Sequence, residues 1–381
     1  MNLKRNASVV FIAVLFAGIV IGCTTKPAAK SSAQAEVAPS ADLIAAANRE
    51  GTVVIYSVTT AVGGLLDEFK QLYPGITPVI KGWDTTPLYE AMYEEAKGIP
   101  HDPDKSGTPV MGDVIWSSGM DLQFKLVAEG YAQPYDSPEA RSLPAWAKYQ
   151  NLAWATTYEP IGFVYNKKLT NEADVPRTRA ALIQMISQNP AKYNDKITAF
   201  DPELSGLGYL LLAQDLRNNP QFWDVAKALK STNIFAGSGS GAQFQRIQDG
   251  KSLLGYDLLC SYVAQQSKNP ALNRPDIAYV LPEDYTLICS RVLYIAKSAP
   301  HPNAAKLWVD YMLSKRGQEQ LCAQNLGSVR DDITDDFTAA AISKKLGNAA
   351  KPIPVSQILA DDLQDAKRND FLGKWKTAAS R

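Results

Sequence analysis

Hydroxyl side chains recur at the points where predicted β-strands give way to predicted helices. The residues concerned are Ser57, Thr59, Thr60, Ser117, Ser118 and Ser205. A hydroxyl group can donate a hydrogen bond to an anion or accept one from a sugar. The helix starts beside these residues add free backbone N–H groups and partial positive charge. The pattern predicts a cleft for a small anionic solute, and the alternative is that the same side chains only cap the helices.

Two further features favour an anion as the ligand. Gly206 allows close approach of the backbone to a ligand, so the Ser205-Gly206-Leu207 turn can present its N–H groups. A buried Arg291 can clamp a carboxylate or a phosphate with two parallel hydrogen bonds. The alternatives are a plain capped turn at Ser205 and an internal salt bridge at Arg291.

The chain offers little for catalysis or metal binding. Its two histidines, His101 and His301, fall in proline-rich turns, which argues against a Ser-His-Asp triad. No Gly-x-Ser-x-Gly motif, zinc motif or Cys-x-x-Cys pair occurs. The Ser-Gly-Ser-Gly stretch at 238–241 lacks the lysine of a P-loop, and it indicates a turn or a second edge of the cleft. We therefore expect a binding protein without cofactor or metal rather than an enzyme.

The overall composition is that of an ordinary globular protein. The 381 residues are 46% hydrophobic and 20% charged, and Lys+Arg and Asp+Glu both number 39. A nucleic-acid binder would show a basic excess, and an acidic disordered chain would show the opposite. Both classes are excluded, and the length suits two domains or one large one.

The N-terminus has the features of a lipoprotein signal peptide. Lys4 and Arg5 precede an apolar run over residues 9–21, which is shorter than the roughly 20 residues that span a membrane. The run ends in Val-Ile-Gly-Cys, which resembles a bacterial lipobox with Cys23 as the lipid-bearing residue. We expect residues 1–22 to be removed, Cys23 to anchor the protein at the periplasmic or extracellular face of a membrane, and 23–40 to form a flexible tether. The alternative is an ordinary signal peptide, or an anchor, with an incidental cysteine.

Three cysteines remain in the expected mature chain after Cys23, namely Cys260, Cys289 and Cys322. An exported protein can form disulfides, but an odd number leaves at least one thiol unpaired. The apolar residues beside Cys260 and Cys289 favour buried thiols.

Predicted strands and helices alternate from residue 52 onward. Strands are predicted at 52–57, 76–80, 113–118, 161–165, 197–200, 252–256, 277–280 and 288–295, and helices at 41–49, 65–73, 88–97, 121–129, 209–217, 242–249 and over most of the chain from 303. All-apolar strands of this kind suit parallel sheets covered on both faces. The alternation predicts a doubly wound α/β fold, whose ligand crevice lies at the carboxyl ends of the strands.

Several short motifs occur in the order typical of type II periplasmic solute-binding proteins. They are Glu50-Gly51-Thr52-Val53-Val54-Ile55-Tyr56-Ser57, Leu66-Asp67-Glu68-Phe69 with Tyr73-Pro74-Gly75-Ile76, Gly112-Asp113-Val114-Ile115, Phe163-Val164-Tyr165-Asn166, Pro302-Asn303-Ala304-Ala305 and Ser314-Lys315-Arg316-Gly317-Gln318. The chain resembles this family over residues 45–335. The closest resemblance is to the branch that binds ferric iron, phosphorylated sugars and phosphoglycerate.

The resemblance implies two doubly wound α/β lobes joined by a two-strand hinge, with the solute held between them. It places the two crossings near 158–165 and 285–295. The first lobe would comprise 41–158 together with 289–381, which includes the C-terminal helices, and the second lobe would comprise 159–288. A monomer that delivers a solute to the permease of an ABC importer is implied, with no nucleic acid as partner.

The resemblance also assigns ligand contacts. In ferric-binding relatives the turn that matches Ser205-Gly206-Leu207 holds an anion, and the loop that matches 57–60 contacts the ligand. Tyr256-Asp257 stands where those relatives carry adjacent iron-binding tyrosines, and no Tyr-Tyr pair occurs in this chain. Tyr256 and Asp257 are therefore expected to stack on, and accept hydrogen bonds from, a hydroxylated ligand.

A phosphorylated or carboxylated metabolite is the ligand that we expect from these residues. One alternative is a ferric-iron protein with a synergistic anion, in which Tyr262 replaces a missing tyrosine. Another is a ligand sensor for a membrane histidine kinase, which would share the same fold and cleft. A hydrolytic enzyme has the least support.

Overall fold

The computed structural model describes residues 38–378, except residues 104, 106, 270–273 and 275. The expected signal peptide, Cys23 and the tether up to residue 37 lie outside this range. Within the part of the chain that is described, no helix is both long and apolar enough to cross a membrane.

Two β-sheets form the framework of the protein. The first has the strand order β2 (Thr77–Gly82), β1 (Thr52–Ser57), β3 (Val114–Ser117), β12 (Val292–Ile295), β5 (Ala153–Ala155) and β4 (Lys148–Tyr149). The second has the order β13 (Ala350–Pro352), β11 (Thr286–Cys289), β6 (Glu159–Asn166), β9 (Leu254–Leu259), β7 (Ile197–Phe200) and β8 (Phe235–Gly237), and β10 (Ile277–Val280) also pairs with β6. Each sheet combines parallel strands with antiparallel ones contributed at the chain crossings.

Helices pack against both sheets and give two lobes, which we name the first and second lobe after their sheets. The helices are α1 (Ala41–Glu50), α2 (Gly63–Leu72), α3 (Thr85–Glu95), α4 (Met120–Ala128), α5 (Arg179–Gln188), α6 (Pro190–Tyr193), α7 (Gly206–Asn218), α8 (Phe222–Lys230), α9 (Ser240–Gln248), α10 (Cys260–Lys268), α11 (Pro302–Leu313), α12 (Lys315–Ala323), α13 (Ala339–Leu346), α14 (Gln357–Asp362) and α15 (Asp365–Thr377). The predicted α/β fold of two lobes is confirmed.

Local sequence explains several of these elements. The Ser40 hydroxyl accepts a hydrogen bond from the Leu43 N–H and caps α1, and Gly51 ends that helix in the left-handed conformation at φ 72°. Five of the six residues of β1 are buried, as expected for a strand that is covered on both faces. The Asp113 carboxylate, before β3, accepts hydrogen bonds from the Val54 and His301 N–H groups. It therefore ties β1, β3 and the start of α11 together.

The three cysteines of the described chain lie buried and unpaired. Burial raises the pKa of Cys322 to about 12, so its thiol stays protonated at physiological pH. The thiols act as small apolar side chains, in agreement with their apolar sequence neighbours.

The chain crosses between the two sheets at residues 156–158 and again at Ser290 and Arg291. The first crossing comes slightly before the predicted 158–165, and the second falls inside the predicted 285–295. The two segments are hydrogen-bonded to each other: the Thr156 N–H donates to the Arg291 carbonyl at 3.1 Å, and the Arg291 N–H donates to Thr157 Oγ1 at 2.9 Å. The hinge is thus a pair of laterally bonded strands.

The C-terminal region departs from the predicted assignment of 289–381 to the first lobe. Strand β12 and helices α11 and α12 do lie there, but β13 joins the second sheet and α15 packs on the second lobe. The reason is the apolar face of α15, because Phe371, Leu372 and Trp375 are buried in the core of the second lobe. Helix α14 returns to the first lobe between these two elements, and its Leu359 is buried in that core.

Replacing Phe371 with alanine tests this placement of α15. The ring lies 5.4 Å from the Tyr209 ring and 5.7 Å from the Phe222 ring, both in the second lobe. Phe371→Ala should lower the free energy of unfolding by about 3–5 kcal/mol, the usual range for a buried phenylalanine, as measured by urea denaturation. Ile358→Ala, on the exposed side of α14, is the control and should change stability little. Equal effects of the two substitutions would contradict the packing of α15.

Candidate functional site

The first turn of α7 meets the first lobe directly. Ser205 is the N-cap of this helix, and its hydroxyl accepts a hydrogen bond from the Gly208 N–H at 3.0 Å. A Cβ on Gly206 would lie 2.7 Å from Leu122 Cδ1 and 3.1 Å from Thr85 Oγ1. A side chain at position 206 would have to displace Leu122 or Thr85, so glycine favours this close approach of the turn to the starts of α3 and α4. The predicted Ser205-Gly206-Leu207 turn lies where the two lobes face each other, and its cap is formed.

The hydroxyls of the first lobe are engaged in local turns. Ser57 Oγ accepts a hydrogen bond from the Thr59 N–H at 3.1 Å, and Ser117 Oγ accepts one from the Gly119 N–H at 3.2 Å. Ser57, Ser117 and Ser118 are buried, whereas Thr60 is exposed. A hydroxyl that accepts in this way keeps its own proton to donate. The capping role is thus present, and it leaves each hydroxyl a donor for a ligand.

Arg291 forms a buried ion pair with Glu159 at the hinge. Its Nε and Nη2 donate to the two carboxylate oxygens at 2.9 and 3.1 Å, and its guanidinium lies 5.4 Å from the centre of the Trp116 ring. The internal salt bridge that the sequence left open is therefore formed. Nη1 makes no hydrogen bond within the described residues, so one edge of the guanidinium keeps donors for a ligand.

Glu159 also binds two hydroxyls, which links the hinge to the second lobe. Thr157 Oγ1 donates to one carboxylate oxygen at 2.7 Å, and Ser261 Oγ, in the first turn of α10, donates to the other at 2.5 Å. Sequence reasoning missed Glu159 and Ser261. A usable signal existed for Glu159, because it is the only charged residue between Lys148 and Lys167.

The start of α4 lies against the same hinge segment. The Ser290 N–H donates to Met120 Sδ at 3.4 Å, and Cys289 Sγ lies 3.6 Å from the Ser118 carbonyl oxygen. Helices α4, α7 and α10 therefore begin around the two crossings. The first N–H groups of an α-helix have no partner inside the helix and carry partial positive charge. The arrangement can bind an anionic group.

The start of α9 adds a buried amide that sequence reasoning did not single out. Gln243 is fully buried, and neither its Oε1 nor its Nε2 has a hydrogen-bond partner in the structure. Ser240 Oγ, in the 238–241 turn, is likewise without one. Buried polar atoms are nearly always hydrogen-bonded, so these atoms are candidates to bind solute or water.

The sequence predicted Tyr256 and Asp257 at the end of a strand. In the structure both residues lie inside β9. The strand continues to Leu259, and its register with β6 shifts opposite these two residues. Asp257 has φ 57°, a conformation in which non-glycine residues are rare, and this bulge redirects its side chain. Both residues are buried in the second lobe.

A network around Arg179 accounts for the position of these two side chains. Tyr256 Oη donates to Asp215 at 2.5 Å, and Arg179 Nη2 lies 2.9 Å from Asp215 and 3.5 Å from Asp257. The guanidinium also stacks on the Tyr285 ring at 3.6 Å. Burial raises the pKa of Asp257 well above its usual range, and the neighbouring Asp215 carboxylate adds to this effect. Tyr256 is thus held by contacts within the second lobe, whereas neither carboxylate oxygen of Asp257 has a hydrogen-bond partner among the described residues. The ligand contacts of these two residues stay predictions.

Three further residues, Tyr262, Asp284 and His301, contact other side chains of the protein. Tyr262 is half-buried and packs edge-on against Phe244. Asp284 accepts a hydrogen bond from Arg179 and thus belongs to the network above. His301 does not cap α11 with its side chain; its Nδ1 pairs with Asp113 at 2.9 Å. Among the described residues, no group of three or more His, Cys, Asp or Glu side chains could hold a metal ion.

The chain belongs to the family described as bacterial extracellular solute-binding protein, whose profile matches residues 111–349. A structure of the substrate-binding protein of an ABC transporter from Agrobacterium tumefaciens is 30% identical, with a TM-score of 0.77 over 86% of this chain and 94% of that one. The predicted resemblance to solute-binding proteins is thereby confirmed. No curated protein matches the sequence significantly.

More distant structures share the fold. AfuA from Actinobacillus pleuropneumoniae, with exogenous fructose-6-phosphate bound, is 20% identical with a TM-score of 0.68 over 86% of this chain and 99% of that one. Iron-bound HitA from Pseudomonas aeruginosa is 16% identical with a TM-score of 0.64, also over 86% and 99% of the two chains. At these identities the likeness shows the fold alone.

Disrupting the hinge ion pair should cost stability in a non-additive way. Glu159→Gln leaves the buried Arg291 without a counter-charge, and breaking a buried pair in this way lowers the free energy of unfolding by about 3–5 kcal/mol. The double variant Glu159→Gln/Arg291→Met should be less destabilised than the sum of its two single variants, because it leaves no buried charge unpaired.

Urea denaturation of Glu159→Gln, Arg291→Met and the double variant, each compared with the wild type, measures this coupling. Asp370→Asn, which breaks the exposed pair with Lys374, is the control and should have little effect. Strict additivity of the two hinge substitutions would show that Glu159 and Arg291 do not depend on each other.

Proposed function

We propose that the protein is the substrate-binding lipoprotein of an ABC importer and captures a small anionic solute, a phosphorylated or carboxylated metabolite, between its lobes. The observation that carries this proposal is the contact of the α7 turn with the starts of α3 and α4 at Gly206. Helix starts from both lobes meet there, and an anion between them would receive N–H donors from each side. A solute that binds both lobes favours their closure by hinge motion.

Arg291 supplies the fixed positive charge of the proposed site. Glu159 holds its Nε and Nη2, so the guanidinium is already oriented before a solute arrives. The free Nη1 edge can donate to a carboxylate or a phosphate. Ser57, Thr59, Thr60, Ser117 and Ser118 would supply hydroxyl donors from the first lobe. The second lobe would supply the Ser205 hydroxyl and the backbone N–H groups of Gly206 and Leu207.

One structural neighbour supports an anionic solute, whereas another holds a metal cation. AfuA was solved with fructose-6-phosphate, and HitA with iron. In this chain Glu159 is already paired with Arg291. The other groups named for the site are N–H and O–H donors, apart from the carboxyl of Asp121 in α4, whose pKa is raised to about 7 by burial. Such a donor set suits an oxyanion better than a metal cation. A neutral sugar and ferric iron are the outcomes that would overturn the proposal.

Calorimetry identifies the class of solute. The panel consists of orthophosphate, fructose 6-phosphate, 3-phosphoglycerate, citrate, glucose and ferric citrate. We expect binding of at least one phosphate or carboxylate compound. Gly206→Val should weaken that binding by about five- to a hundredfold, because overpacking at a tight contact typically costs about 1–3 kcal/mol. Gly373→Ala, where an added Cβ meets nothing within 4 Å, is the matched control and should bind normally.

Two results would count against the anion. One is tight binding of glucose alone. The other is a visible charge-transfer band on ferric loading that is lost in Tyr262→Phe. Either result would leave the family membership untouched.

Lipid anchoring at Cys23 is the second part of the proposal. The lipobox-like sequence before Cys23 supports it, and several acyl chains on one cysteine anchor a protein firmly. Cys23→Ser should abolish incorporation of labelled palmitate and leave an unprocessed precursor or a released protein. Cys322→Ser, which changes a buried thiol, is the control and should retain the label. A labelled, membrane-bound Cys23→Ser protein would refute the anchor.

A further inference from the structure

The segment 353–378 joins the two lobes away from the hinge, and we call it the C-terminal strap. It begins beside the second sheet, where the Ile353 N–H donates to the Ile288 carbonyl at 3.0 Å. It then contacts the first lobe, since the Val355 N–H donates to the Trp146 carbonyl at 2.9 Å. Helix α14 packs on α4 of the first lobe, and α15 packs on the second. Only Leu363 and Gln364 separate the two helices.

The end of α14 is bonded directly to α7. Tyr209 Oη donates to the Asp362 carbonyl at 2.6 Å, Gln214 Nε2 donates to the Asp362 carboxylate at 3.2 Å, and Arg217 pairs with the same carboxylate. Leu359, one turn earlier, is fully buried in the first-lobe core. The strap therefore connects α4 and α7, whose first turns meet at Leu122 and Gly206.

We propose that the C-terminal strap sets the affinity of the binding site by holding the first turns of α4 and α7 against each other. This inference rests on the proposed function only in that the two turns are taken as ligand contacts. Leu359 and Asp362 do not line the cavity beside Leu122 and Gly206, and they act as positioning residues. Opening of the lobes about the hinge must either separate α14 from α4 or extend the link of Leu363 and Gln364 between α14 and α15. Loss of the contact between α14 and α4 therefore favours the open state. A ligand that needs the closed state then binds more weakly in proportion to the lost closed population.

A buried acid makes the contact between the two lobes less favourable, in contrast to the strap. Asp121, in the first turn of α4, is almost fully buried, and its Oδ2 has no hydrogen-bond partner among the described residues. Its burial raises its pKa to about 7, and the negative charge of Asp362 on α14 adds to the shift while Arg368 on α15 reduces it. Tyr209 of α7 and Cys289 of β11 also lie near it. The cavity beside Asp121 is further lined by Glu90, Lys125, Glu203 and Asp365. Since the raised pKa belongs to the closed state, closure is most favourable at low pH and loses stability as the pH rises through 7.

Amide hydrogen exchange of the ligand-free full chain tests the proposal without any solute. Leu359→Ala should speed exchange in both first turns, at 119–122 and 205–208, by about tenfold or more, because a buried leucine contributes strongly to its contact. Leu321→Ala is the matched control, since Leu321 is equally buried in the first lobe but lies in α12. It should speed exchange near α12 without affecting the two turns.

Three further variants keep the test informative if Leu359→Ala folds poorly. Asp362→Ala removes the bonds to Gln214 and Arg217 and should speed exchange at 205–208, whereas Asp362→Asn, which keeps an acceptor, should restore part of the protection. Asp121→Asn should act in the opposite direction and slow exchange at pH 8, with a smaller difference from the wild type at each lower pH.

Unchanged exchange in both turns for Leu359→Ala and Asp362→Ala, or equal acceleration in Leu321→Ala, would overturn the role of the strap. These measurements use no solute, so they are independent of whether the calorimetric panel finds an anion. With any solute that binds, Leu359→Ala should raise the dissociation rate, and Leu321→Ala should not.

Discussion

Glu159 and Arg291 form a buried ion pair at the place where β5 continues into β6 and β11 into β12. Water is excluded from both groups, so each needs the other to offset the cost of its own desolvation. The same carboxylate binds Thr157 of the first crossing and Ser261 of α10. One acid thus links both crossings to the start of a helix in the second lobe.

Pairing of Arg291 with Glu159 also limits how the site can attract an anion. The two formal charges largely cancel at a distance, so the attraction must come from short-range donors: the Nη1 edge, the hydroxyls and the helix starts of α4, α7 and α10. Such donors act at hydrogen-bond distance and select a compact oxyanion by geometry. A site of this kind would bind with weaker salt dependence than a cluster of unpaired lysines or arginines, because screening acts mainly on long-range charge.

The sequence was sufficient to predict features that depend on local pattern. The alternation of apolar strands and amphipathic helices from residue 52 predicts the α/β lobes, and Ser40, Gly51 and Ser205 take the capping positions that their types favour. Features that depend on distant contacts were missed or misplaced. The bulge at Asp257 follows from the register between β6 and β9, the Glu159 partner of Arg291 lies 132 residues away, and α15 joins the second lobe because its aromatic residues fit there.

The free energy of lobe closure in this protein combines favourable and unfavourable contributions. The hinge pair and the C-terminal strap favour contact between the lobes, whereas Asp121, with an unpartnered buried oxygen, makes the contact less favourable at neutral pH. A protein that must release its solute benefits from this balance, because a fully satisfied closed state would open too rarely. A bound solute then needs to contribute only the small difference in free energy between the open and closed states, and this contribution is what couples binding to closure.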